Sequence, residues 1–193
     1  MVKHAIRCLS FSFLYFCALL ITVLIILMQN TLVDVGIAQQ SSQHKSVSDS
    51  VLTVLRTPNI RKSDPLRLKD AIDEAGRVKL TEAVDDLIKL ITFNEEDVYP
   101  PPKVVKSTEK ADRYPAASAL FLIGRPALPA LITLVENYGQ DATEGKISAG
   151  VILAIFRDDK FEGIKEMRDA QLKAKSVKAK SRLDALIDKL EKL

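Results

Sequence analysis

Moved along itself by 48 residues, the chain lays one apolar helical stripe over another. Leu68, Ala71, Ile72 and Ala75 precede Gly76, and Ala116, Ala119, Leu120 and Ile123 precede Gly124. Spacing of i, i+3, i+4, i+7 puts four apolar side chains on one face of a helix. Asp64 and Asp112 stand at the same offset in N-cap positions, as do Arg77 and Arg125 after the glycines. Each glycine suits the left-handed residue that closes a helix. A second stripe follows each stop: Val84, Leu87, Ile88 and Ile91, then, 44 residues on, Leu128, Leu131, Ile132 and Val135. The offset shortens because Gly124-Arg125-Pro126-Ala127 replaces the longer connection from Gly76 to Ala83. Pro126 and Pro129 belong in a turn and a first helical turn, where a missing N–H costs little.

One helix pair cannot bury its own apolar face, so pairs repeated at about 40–47 residues must stack. The expected fold is all-α, a short α-solenoid of antiparallel helix pairs. With 7 Gly, 8 Pro, no Trp and 6% aromatics, composition favours helices over a sandwich or barrel. The stretch RYPAASALFLIG, residues 113–124, followed by RPALPALITLV, residues 125–135, resembles the HEAT-repeat family, particularly its phycobilin-lyase-type repeats. It matches that family's first helix, glycine turn and second helix. The resemblance spans about residues 64–172, with units near 64–93, 112–138 and 146–172. In the third unit Ile147, Gly150, Val151 and Ala154 form one stripe, and Phe161, Ile164 and Met167 a poorer one.

Stacked repeats need capped ends. Ser50 to Arg56 predicts a short helix in front, within a folded domain of residues 51–193. Residues 176–193 predict a C-terminal capping helix that buries Ala179, Leu183, Leu186, Ile187, Leu190 and Leu193. Asn94 to Lys110, with Pro100-Pro101-Pro102, reads as a stiff extended loop.

The N-terminus has a different chemistry. Lys3 and Arg7 precede Cys8 to Met28, twenty-one residues without charge, Pro or Gly. A helix of that length rises about 32 Å, enough to cross a hydrocarbon core. The basic residues in front place the C-terminal domain outside the cytoplasm. The length favours a retained single-pass anchor within residues 1–38. The alternative is cleavage after Ala38, since Gly36-Ile37-Ala38 has the small residues a signal peptidase reads, which would give a secreted or periplasmic protein. Residues 39–50, QQSSQHKSVSDS, lack apolar periodicity and read as a flexible tether.

Most catalytic devices have no residues to build them. Both cysteines, Cys8 and Cys17, and both histidines, His4 and His44, precede the folded domain. Disulfides, Cys-based zinc, Ser–His and Cys–His catalysis are therefore excluded from it, and no catalytic residue, cofactor or metal is expected. Asp70, Asp73 and Glu74, Asp85-Asp86, Glu95-Glu96-Asp97 and Asp158-Asp159 read as solvated faces. Asp158-x-Lys160-x-Glu162-Gly163 with Asp169 imitates a calcium loop, but Lys160 sets a cation at a ligand position. Gly145-x-x-x-x-Gly150 lacks the Lys-Ser/Thr of a phosphate loop.

Charge is nearly balanced, +3 from 28 Lys+Arg against 25 Asp+Glu, so no general attraction to nucleic acid exists. Lys173, Lys175, Lys178, Lys180 and Arg182 form the most basic run, suited to anionic headgroups or an acidic partner. In the resembled family the second helices line the concave face, which implies an exposed partner surface of Asp85, Asp86 and Lys89 with Thr133, Glu136 and Asn137. The resemblance thus implies a non-enzymatic protein-binding scaffold, and the apolar run 8–28 adds that it is held at a membrane. A soluble self-associating repeat protein is the alternative. Bilin attachment, known in the resembled subtype, is disfavoured by the missing Cys and His.

Overall fold

A computed structural model gives the structure of residues 45–98 and 113–193, and among these the chain is helical, with no strand. The stretch 8–28, the site after Ala38, residues 39–44, Asp112 and Pro100-Pro101-Pro102 lie outside the described residues.

Helix α1 takes in residues 45–55, α2 is Ile60–Ser63, α3 Pro65–Arg77, α4 Val84–Lys89, α5 Glu95–Val98 and α6 Pro115–Ile123. They are followed by α7 Leu128–Tyr138, α8 Thr143–Ile155, α9 Lys160–Lys173 and α10 Val177–Glu191. Two expectations change at once. Residues 45–50, read as tether, belong to α1, which buries Val51, Val54 and Leu55. The loop read from Asn94 begins with one helical turn, α5. Asn94 Oδ1 accepts the Glu96 and Asp97 amides at 2.9 and 3.3 Å, and Asp97 accepts the Asn94 amide at 3.0 Å. That reciprocal capping folds the turn against the core through buried Val98.

Helix α3 starts where its sequence says it should, with the Asp64 carboxylate accepting the Arg67 amide at 3.1 Å and Pro65 in the first turn. Leu68, Ala71, Ile72 and Ala75 are buried as the stripe requires. Gly76 is not the stop. The helix runs on to Arg77 and closes in a Schellman motif, with Leu80 N–H on Ala75 O at 2.9 Å and Lys79 N–H on Gly76 O at 3.1 Å. Lys79, at φ 52°, is the left-handed residue. Gly76 serves packing instead: a Cβ there would lie 2.8 Å from Ala119 Cα of α6. Gly124, at φ 78°, does close α6 as expected.

After each stop a 3-10 turn, Thr81–Ala83 or Arg125–Ala127, leads straight into the second helix. Ala83 and Ala127, 44 residues apart, are both fully buried at these junctions. The first helices pack side by side, α3 on α6 and α6 on α8, while α4 lies against α6 and α7.

Beyond α7 the pattern changes. The expected third unit corresponds to α8 and α9, but α8 packs mainly on α7, and α9 mainly on α10. Helix α10 also lies against α7. The face of α8 differs from the expected one: Gly150 and Ala154 are exposed, while Gly145, Ser148, Ala149, Val151, Ile152 and Phe156 are buried. A Cβ on Gly145 would fall 1.4 Å from Gly139 O, so this close approach of backbones sets the rotation of α8. In α9, Met167 is buried but Phe161 is 79% exposed, and Gly163 receives the Phe156 ring. Helix α10 buries its expected stripe under a Ser176 cap, but Leu193 lies past the helix end and is exposed.

Among the described residues no single helix is long and apolar enough to cross a membrane. Residues 115–138 would pass only as a pair bent by 115°, and their stripes are buried in the core.

Candidate binding groove

The expected partner surface divides between a groove, a buried ion cluster and a helix cap. The groove lies where the two repeated turns meet, with a volume of about 450 Å³. Val84, Pro126, Pro129 and Ala130 give it apolar walls, and Thr81, Glu82, Asp85 and Thr133 give it polar ones. Each side is a 3-10 turn plus the first residues of a second helix, so the repeat itself generates the groove. Thr133 donates its hydroxyl to Pro129 O at 2.9 Å. Glu82, whose carboxylate accepts the Thr81 hydroxyl at 3.1 Å, and Asp85 are both exposed and neither is in an ion pair among the described residues, so two carboxylates give this side of the groove an acidic character.

Asp86 does not belong to this surface. Its side chain is 10% exposed, with Oδ2 accepting Arg56 Nε at 2.8 Å and Oδ1 accepting Lys89 Nζ at 3.1 Å. Burial pushes its pKa up, but the hydrogen bonds and charges of Arg56 and Lys89 outweigh burial and hold it below the usual carboxylate value. The cause is a helix outside the repeats: α1 brings Arg56 over α4. Lys89 is exposed but committed to this cluster.

Glu136 and Asn137 sit at the far end of α7. Their carbonyls accept Arg182 Nη1, each at 2.5 Å. Arg182 therefore caps the C-terminus of α7, where a cation meets the negative end of the helix dipole. It lies over Gly139, whose φ of 70° and tight contact with Arg182 Nε leave no room for a side chain. Nothing in the local sequence marks this, because the partners are 45 and 46 residues apart. The other members of the basic run, Lys173, Lys175, Lys178 and Lys180, are exposed.

The remaining charges stitch elements together. Arg61 pairs with Asp97 at 2.8 Å and lies over Phe93, and Arg125 pairs with Asp159 at 3.1 Å and lies over Phe156. Most of the calcium-loop imitation is helix α9, beginning at Lys160. Among the described residues no group of three or more His, Cys, Asp or Glu is placed to hold a metal ion. No family model, curated protein or solved structure matches the chain.

Proposed function

We propose that this protein is a non-enzymatic protein-binding scaffold, a short HEAT-like α-solenoid that uses the groove between α4 and α7 to hold a partner. The observation that carries the reading is the groove's origin: two copies of one turn, 44 residues apart, present apolar walls and two exposed carboxylates, Glu82 and Asp85, that form no ion pair among the described residues. Such a surface complements an apolar segment bearing Lys or Arg. The reading includes a single-pass anchor formed by residues 8–28, with the helical domain on the extracytoplasmic side.

The test is a photo-crosslinking residue at Thr133 in the full chain, activated in its own membranes. The expected result is one defined adduct, lost in the Asp85→Lys variant and absent when the crosslinker replaces exposed Asp70. Equal labelling from both positions would remove the groove from consideration.

A second reading, self-association after export, draws on exposed Leu66, Phe121 and Leu122, which are about half exposed on α3 and α6. Light scattering over a range of concentrations separates the two. A mass that rises with concentration and falls in Phe121→Ser favours self-association.

A further inference from the structure

We propose that the turn joining α9 to α10 is a docking site for an anionic lipid bilayer, separate from the groove. Leu172 is 78% and Val177 85% exposed, and both stand at this turn. Lys173, Lys175, Lys178 and Lys180 surround them, all exposed, and none forms an ion pair among the described residues. No acidic residue occurs between Asp169 and Asp184.

This turn is not a fraying end whose side chains are exposed by default. The Ser176 hydroxyl accepts the Ala179 amide at 3.0 Å, and Ala174 N–H donates to Ala170 O at 2.9 Å. Helices α9 and α10 then pack together through Met167 and the α10 stripe. Two apolar side chains are thus held out in water on a fixed frame, which stabilises nothing within the chain.

The chemistry selects the partner. Apolar residues ringed by lysines match an interface where the apolar groups enter the acyl boundary and the ammonium groups stay at the phosphates. A stable protein interface needs about 800 Å² per side, more than one turn of some nine residues provides. Single-stranded nucleic acid would need stacking platforms, and no aromatic residue follows Phe161. The fifth cation, Arg182, takes no part because it caps α7. The proposal depends on neither the groove nor the N-terminal segment.

The test uses the full chain with Cys8 and Cys17 changed to Ser, Val177→Cys labelled with an environment-sensitive fluorophore, and reconstitution in vesicles. One set is phosphatidylcholine alone, the other contains about one third phosphatidylglycerol. The expected result is a blue shift only with the anionic lipid, reduced by added salt. At about fivefold per lysine, the combined Lys173→Ser, Lys175→Ser, Lys178→Ser and Lys180→Ser variant should weaken docking by about fiftyfold or more, after screening. Circular dichroism checks that this variant keeps its helix content, and a label at Asp70→Cys should report no shift. Equal signals on both lipids, or an unaffected lysine variant, would overturn the proposal. So would a shift that appears only when acidic protein is added.

Discussion

The two halves of the helical domain obey different rules. From α3 to α7, apolar stripes choose the buried faces, and every first helix meets the next along them. In α8 and α9 the close contacts at Gly145 and Gly163 stand where the expected stripes are poor, whereas α10 again buries an apolar stripe and is tied to α7 by Arg182. A polar opposite side is not what decides, since α6 buries its stripe although Phe121 and Leu122 stand about half exposed on it; what distinguishes α8 is the backbone approach at Gly145.

The comparison is broken most severely at Gly145. Gly145→Val drives a side chain into Gly139 O and should destabilise the protein by about 3 kcal/mol or more, measured by urea denaturation. Leu120→Ala tests the striped half at a fully buried site and should cost about 3 kcal/mol, whereas Phe161→Ala, at an exposed one, should change little. Asp86→Ala should cost about 1–2 kcal/mol, since it leaves Arg56 and Lys89 without their acceptor.

That last contribution has a pH signature. The folded pKa of Asp86 is depressed, so its stabilisation is present above the ordinary value of 3.8 and is lost as pH falls through the lower folded value. Acid denaturation of Asp86→Asn should lack this component, and an unchanged acid limb would remove Asp86 from the account. Arg182→Gln should cost about 1 kcal/mol by uncapping α7. The smallest effect has the opposite sign: Gly150→Ala, with open space around the new methyl, should stabilise α8 by about 0.5–1 kcal/mol. Together with Gly145→Val, it separates two glycines of one helix into a contact and a mere absence of side chain.

Much of the striped half was legible because each signal was local. The Asp64 cap, the Leu68 and Ala116 stripes and the Gly124 stop all act within a few residues of themselves. Gly76 misled because a glycine near a helix end looks the same whether it supplies a positive φ or room for a neighbour, and Ala119 is far off in sequence. Phe161 misled because an apolar residue at helical spacing need not find a facing surface. For the groove, the resemblance to repeats whose second helices line a concave face pointed to Asp85 and Thr133, and the 44-residue offset relates the turns that bring in Glu82 and Pro126. Pro129 was legible as a helix start and not as a wall. Asp86 was misjudged because Arg56 reaches it from the turn that ends α1, outside the repeat.

The most direct test of the scaffold reading is carboxylate footprinting of the full chain in its native membranes against the purified protein, residue by residue. Glu82 and Asp85 should be protected in the membranes, while exposed Asp70 and Asp141 label equally in both. If Glu82 and Asp85 label at the same rate in both preparations, nothing occupies the groove, and the scaffold reading is wrong.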